Sequence, residues 1–384
     1  MDNSMKNIFR QGRLFIALSL AMTSISAFAL TQQEVDDIIK PLMKQEQIPG
    51  MSVAISVNGK QAIYHYGVQS KQTQIPVSDR TLYEIGSLSK TFTATLATYA
   101  QIQGKLDFSQ SVSHYLPELK GSAFDNVSVM NLATHTSGLS LFVPSDIKTN
   151  DQLMAYYQKW LPDNEVGQYR SYSNLGVGLL GIVTAKQLNM PFSQAMEKLM
   201  LPSLGLKHTY IHVPKSQEKY YAQGYNKQNQ PVRLNLAILG PEAYGLKSNA
   251  KDLIRYLEIN MQSIKVAKTW QEAIENTHTG VYLTDSFVQD MMWESYPWPV
   301  SLSQLLQDNR DDMALKPQKV ELIKPAMAPE VRAYYNKTGS SNGFATYAIF
   351  IPEEKIAIVM LSNKWIPIPQ RITATYQLLE KIER

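Results

Sequence analysis

The chain has 384 residues, a formal net charge of +4, 44% apolar residues and no cysteine. That length is enough to bury a large core, and the apolar share is ordinary for a globular protein. Basic residues are scattered, which excludes a polybasic surface for nucleic acid or membrane, and the lack of cysteine excludes a fold held by disulfides.

The first residues read as an address label. Lys6, Arg10 and Arg13 form a basic start, Leu14 to Met22 is a short apolar run, and Ala27-Phe28-Ala29 is a small-x-small cleavage signal. The run is too short to span a bilayer comfortably. The pattern predicts an export signal over residues 1–29, cleavage after Ala29, and a periplasmic protein off the membrane. A retained membrane anchor is the alternative. Removing Asp2, Lys6, Arg10 and Arg13 with the signal leaves a formal charge of +2.

Thr31 to Gln47 reads as a helix with Ile38, Ile39, Leu42 and Met43 apolar and Pro41 bending it. Met51 to Val57 and Gln61 to Gly67 are β-rich runs around Asn58-Gly59, a strong hairpin signal. Next comes Tyr83-Glu84-Ile85-Gly86-Ser87-Leu88-Ser89-Lys90-Thr91-Phe92-Thr93. Leu88, Phe92, Leu96, Tyr99 and Ile102 fall at helical spacing, which predicts an amphipathic helix with Gly86 at its entry and Ser87 in its first turn. Residues three apart share a helix face, so the Lys90 amine can lie against the Ser87 hydroxyl, a weak nucleophile until a base adjoins it. The S-x-x-K spacing recurs at Ser145/Lys148, Ser216/Lys219 and Ser248/Lys251, so spacing alone does not identify the nucleophile.

From about residue 104 to 225 the pattern is mostly short helices and loops. Within it, Tyr172-Ser173-Asn174 occupies a polar turn before a glycine-rich helix at Gly176 to Gly181. The six histidines show no H-x-H and no H-E-x-x-H, and Thr209-Tyr210-Ile211 between His208 and His212 favours a strand, so no metal centre is expected. His278-Thr279-Gly280 reads as a loop. Lys337-Thr338-Gly339 is read as opening the first C-terminal strand, followed by Ser340 and Gly343. Strands follow at Ala345 to Ile351 and Ile356 to Leu361, and then a closing helix through Ile372, Tyr376, Leu379 and Ile382. The architecture expected is α/β of the α+β kind: one antiparallel sheet built from both termini, flanked by helices, with the mainly helical stretch inserted. One domain is expected over residues 30–384.

The order Ser87-x-x-Lys90, Tyr172-x-Asn174, Lys337-Thr338-Gly339 resembles the serine β-lactamases and penicillin-binding enzymes. Tyrosine at the head of the middle motif resembles the class C, AmpC-type enzymes. So do Ile48-Pro49-Gly50-Met51, Glu242-Ala243-Tyr244-Gly245-Leu246-Lys247-Ser248, Lys337-Thr338-Gly339-Ser340-Ser341-Asn342-Gly343-Phe344 and Ile358-Val359-Met360-Leu361-Ser362-Asn363-Lys364. The likeness spans nearly all of the chain after residue 29. It implies a β-lactamase/penicillin-binding-protein-like fold and hydrolysis of β-lactam antibiotics, cephalosporins preferred, through a serine acyl-enzyme, giving antibiotic resistance. No cofactor is implied; the partner is the small-molecule β-lactam, and the protein is expected to be a monomer. The alternatives on the same scaffold are a D-Ala-D-Ala carboxypeptidase or esterase, or a non-catalytic penicillin sensor. The intact Lys337-Thr338-Gly339 and Tyr172-x-Asn174 speak against the esterase.

Acyl transfer to Ser87 needs a base, a proton donor for the leaving nitrogen and donors for the developing oxyanion. Tyr172, between Lys90 and Lys337, can serve as base and then acid. Two cations stabilise its phenolate while burial opposes it, so the direction of its pKa shift is open, and a neutral Lys90 is the rival base. The resemblance implies an oxyanion hole from the Ser87 and Ser340 backbone N–H groups. It also implies that Asn174 holds the substrate's side-chain amide, and that Lys337 and Thr338, on the strand with Gly339, face its carboxylate. Tyr221 matches the family's substrate-flanking tyrosine; a packed loop aromatic is the other reading. The chain departs from the family at Trp365 and Ile368, where polar residues are usual, and at Phe142, where a glutamine often lines the pocket. Neither Phe142 nor Ile368 can donate a hydrogen bond, and Trp365 offers only one. The expectation is a more apolar pocket with weaker recognition of the substrate anion.

Overall fold

The computed structural model describes residues 30–310 and 312–384; the expected export signal, residues 1–29, lies outside them. Helix α1 (Gln32–Glu46) starts where its sequence supplies a cap. Thr31 Oγ1 accepts from the Glu34 N–H at 3.3 Å, and the Glu34 carboxylate accepts from the Thr31 N–H at 2.8 Å. Strands β1 (Gly50–Val57) and β2 (Lys60–Gly67) then form the hairpin predicted at Asn58-Gly59. Both turn residues have positive φ, 52° and 77°, as a tight two-residue turn between twisted strands requires.

Four helices that frame the site follow: α2 (Ser89–Ile102), α3 (Asn174–Leu188), α4 (Ala250–Asn260) and α5 (Lys268–Asn276). The remaining strands of the main sheet are β3 (Gly280–Leu283), β4 (Val288–Gln289), β5 (Glu294–Pro297), β6 (Glu321–Met327), β7 (Ala333–Ser340), β8 (Ala345–Ile351) and β9 (Ile356–Ser362). Helix α6 (Ile368–Ile382) closes the chain. The sheet has nine strands in the order β6-β3-β4-β5-β7-β8-β9-β1-β2, and its paired neighbours run antiparallel. Its middle joins the two ends of the chain: β1 pairs with β9 from Met51↔Ser362 to Val57↔Ile356.

Both faces of this middle are covered, which is why its strands read as nearly unbroken apolar runs. Met51, Val53, Ile55, Tyr347, Ile349, Ile358 and Met360 pack with residues of α1 and α6 on one face. Ala54, Ala348, Phe350, Ala357, Val359 and Leu361 pack with residues of α2, α3 and α4 on the other. Fully burying a side chain of this size contributes about 1.5–3 kcal/mol, so the paired layers supply a large share of the fold's stability.

Several local expectations need correction. Helix α2 is not amphipathic: eleven of its fourteen residues are buried, because other helices enclose it. Phe92 stacks on Tyr256 of α4 at 4.0 Å and Tyr99 on Trp270 of α5 at 3.9 Å. The threonines that made one face look polar satisfy themselves internally, as Thr98 Oγ1 does by donating to Ala273 O at 2.7 Å. Strand β7 begins at Ala333, four residues before Lys337, with buried Tyr334 and Tyr335 extending it. Gly280 opens β3 instead of ending a loop; β3, β4 and β5 hold only two to four residues each, too few for a period-two pattern to register. Between His208 and His212 there is no strand but one isolated bridge, Tyr210↔Lys247.

Candidate active site

Ser87 sits in a 3-10 turn, Gly86–Leu88, that leads into α2, and not in the α-helix itself. Gly86 has φ +53°, and a Cβ there would lie 2.5 Å from both Ser340 N and Ser340 O. A Cβ on Gly339 would lie 2.0 Å from Ile85 O. The two glycines therefore let the Ser87 turn rest against the end of β7, backbone on backbone. Lys90, one turn further along, is fully buried and donates from Nζ to Ser87 Oγ at 3.0 Å and to Ala243 O at 2.9 Å. The glycine-rich α3 makes room for the segment that carries Ala243. A Cβ on Gly178 would meet Leu239 at 2.7 Å, and one on Gly181 would meet Glu242 at 2.5 Å.

Tyr172 enters from the short strand Tyr169–Arg170, which pairs with Gln318–Lys319. Arg170 anchors that strand as a buried cation, donating to Gln289 Oε1 at 2.5 Å, Glu294 Oε1 at 2.6 Å and Met313 O at 2.8 Å. The Nζ atoms of Lys90 and Lys337 stand 5.0 and 5.1 Å from the Tyr172 ring centre. Burial pushes the Tyr172 phenol up, but Lys337, Lys90 and a hydrogen bond from Ser87 outweigh it and bring the pKa down to about 8. Burial, against a partly opposing pull from Tyr172, brings the Lys90 amine down to about 8 as well. An amine and a phenol that both titrate near 8 thus stand beside one hydroxyl oxygen, the equipment of acyl transfer.

Ser87, Tyr172, Lys337, Thr338, Ser340 and Ile368 line one cleft together with Arg170, Asp308, Asn309, Arg310 and Met313. Lys337 Nζ donates to Thr338 O at 3.3 Å. Asn174 is the first residue of α3, capped by Ser173, and its buried Oδ1 accepts no hydrogen bond from the protein, which leaves it available to a ligand's N–H. Tyr221 is not among the residues of this cleft. It borders a separate cavity with Glu218, Arg233 and Leu236, and it is tied back through Glu84. The Glu84 carboxylate accepts from Tyr221 at 2.5 Å, from the Leu234 N–H at 2.7 Å and from Ser341 Oγ at 2.5 Å. Of the three departures, Ile368 lies in the cleft. Phe142 is 69% exposed on the loop whose Leu141 carbonyl accepts from the Asn174 N–H. Trp365 packs under Lys227, whose Nζ is 3.9 Å from a ring centre of the indole.

Four supporting residues had escaped sequence reasoning: Glu84, His135, Arg170 and Arg371. Arg371 of α6 lies under β7, donating to Gly339 O at 2.8 Å, Thr346 O at 3.2 Å and Ser340 Oγ at 2.9 Å. The one available signal is its place on the buried face of the closing helix, four residues before Thr375 and seven before Leu378. Among the described residues, no three His, Cys, Asp or Glu side chains converge in a group that could hold a metal ion.

The beta-lactamase family model matches residues 35–382 of the chain. A beta-lactamase of Pseudomonas fluorescens is 44% identical over 354 residues, which cover 92% of this chain and 99% of that one. Among solved structures, a class C beta-lactamase in complex with cefoxitin is 52% identical, with a TM-score of 0.89 over 91% of this chain and 98% of its own. The D-alanine carboxypeptidase AmpC from Burkholderia cenocepacia is 43% identical, with a TM-score of 0.87 over 91% of this chain and 98% of its own.

Proposed function

The chain belongs to the beta-lactamase family and is a class C serine β-lactamase, and we propose that Ser87 is the nucleophile with which it opens the β-lactam ring. The observation that carries this assignment is the Lys90 amine 3.0 Å from Ser87 Oγ, with the Tyr172 phenol beside both. Ser87 Oγ attacks the lactam carbonyl as its proton passes to Tyr172, and the carbonyl oxygen takes up negative charge. The backbone N–H groups of Ser87 and Ser340 stabilise that charge; the close approach of Gly86 to Ser340 supports this pairing. Collapse breaks the C–N bond, and Tyr172 returns the proton to the departing nitrogen, leaving the acyl group on Ser87. Water then attacks the ester carbonyl as its proton passes to Tyr172, and collapse breaks the C–O bond while Tyr172 returns that proton to Ser87 Oγ, releasing the ring-opened acid. Asn174 holds the substrate's side-chain amide, Lys337 and Thr338 face the carboxylate along the Gly339 strand, and Tyr221 flanks the substrate. No step draws on a cofactor.

Cephalosporins are the preferred substrates in this reading, and resistance to them is the outcome for the cell. The catalytic domain is residues 30–384, acting as a periplasmic monomer. Counting turnovers of a chromogenic cephalosporin by the purified protein is the test. Many per molecule are expected; one stoichiometric burst without further turnover would make the protein a penicillin acceptor. Turnover of a D-Ala-D-Ala peptide without that of the cephalosporin would make it a carboxypeptidase.

A further inference from the structure

One buried side chain laid against the Tyr172 ring has no part in the proton transfer described above: His135. It follows the short helix Val129–Ala133 and has φ +61°, a left-handed conformation that non-glycine residues adopt at a cost of roughly 1–3 kcal/mol. That conformation turns two acceptors of one residue toward the Tyr172 segment. The His135 carbonyl accepts from the Ser171 N–H at 2.7 Å, and the ring Nδ1 accepts from the Ser173 N–H at 3.1 Å. The N–H groups of the two residues flanking Tyr172 are therefore held by a single residue. The imidazole also lies on the phenol, ring centres 4.3 Å apart at a tilt of 36°.

His135 is 1% exposed, and its Nε2 makes no hydrogen bond to the protein. Since Nδ1 accepts a hydrogen bond, the ring proton belongs on Nε2. The charged groups facing the ring are Arg170, Lys90 and Lys337, with Tyr172 the other titratable neighbour. Burial first, and then those three cations, hold its pKa well below that of an ordinary histidine. A protonated ring would lose the Nδ1 acceptor and add another positive charge beside the phenol; the neutral ring does neither.

We propose that His135 is a positioning residue for β-lactam hydrolysis, clamping the Ser171 and Ser173 N–H groups so that the Tyr172 hydroxyl stays between Lys90 and Lys337. The proposal rests on reading Tyr172 as the proton-transfer group. Its test compares the wild type with His135→Phe, which keeps a ring but loses the acceptor, and with His135→Asn. Asparagine tolerates the left-handed backbone, and its Oδ1 can accept the Ser173 N–H. Three quantities are measured: kcat and KM on a chromogenic cephalosporin across pH, and the Tyr172 titration by NMR of carbon-labelled tyrosine, assigned with Tyr172→Phe.

The expected result for His135→Phe is a kcat about tenfold lower or worse at nearly constant KM, with a displaced Tyr172 midpoint; His135→Asn recovers kcat to within about threefold of wild type. Should His135→Phe fail to fold, His135→Gly satisfies the backbone and carries the same expectation. A wild-type kcat or an unmoved Tyr172 midpoint in the acceptor-less variant overturns the proposal, as does failure of a folded His135→Asn to recover activity. A fully active Tyr172→Phe would instead overturn the proton-transfer reading, so the two failures are distinguishable.

Discussion

Two cations around one phenol set the protonation chemistry at Ser87. Tyr172 and Lys90 are both brought down to about 8, by opposite balances of burial and charge. For the phenol, positive neighbours win over burial; for the amine, burial wins over the attraction of the phenol. A base is competent when deprotonated, so near neutrality only a minority of either group is ready, and that share grows as pH rises through the pKa. The pair titrates together, and the activity limb belongs to both. We predict that kcat/KM rises between pH 6 and pH 8, and that Tyr172→Phe loses about 10²–10⁴-fold in kcat with the fold intact. Steady-state rates across pH check this; a near-wild-type Tyr172→Phe would transfer the base to Lys90. At this scale the motifs themselves were legible as a spatial group: Ser87, Tyr172, Lys337, Thr338 and Ser340 line one cleft, and Lys90 is buried against Ser87. The direction of the Tyr172 shift was not, because it depends on distances to two cations from other elements. Glu84 and His135 were hidden for the same reason: a buried polar side chain takes its meaning from partners remote in sequence.

Among the elements, the hairpin at Asn58-Gly59 and the strands Ala345–Ile351 and Ile356–Ser362 were readable because turn chemistry and long apolar runs are local signals. Strands β3 to β5 were not, since such short pieces are defined by the neighbours they pair with. Helix α2 misled for an instructive reason: threonines that bond back to carbonyls one turn earlier look like a solvent face and are buried instead. Helix α6 shapes the cleft from its first residue, Ile368, while Arg371 one turn later supports the carbonyls of β7. An aliphatic side chain at that entrance offers a substrate carboxylate nothing. Replacing Ile368 with asparagine adds a donor, and a hydrogen bond to a charged group contributes about 1.5–3 kcal/mol. KM for a first-generation cephalosporin should then fall by about tenfold in Ile368→Asn. An unchanged or higher KM would make the departure a neutral change.

For the whole molecule, the sheet joins strands from both ends of the chain, so the Ser87 turn and the strand it rests on come from distant stretches of sequence. Among the described residues no helix is long and apolar enough to cross a membrane. Export should leave a protein that starts near Leu30 and behaves as a monomer. Intact mass and light scattering on periplasmic extract check both, and a full-length, membrane-bound species would contradict the cleavage. The most direct measurement is of the acyl-enzyme itself: the protein is quenched during turnover of a cephalosporin, weighed intact, and its peptides mapped. One acyl adduct is expected, on Ser87, absent from a folded Ser87→Ala variant whose hydrolysis has fallen by several orders of magnitude. An adduct on another residue, or brisk hydrolysis by Ser87→Ala, would contradict it.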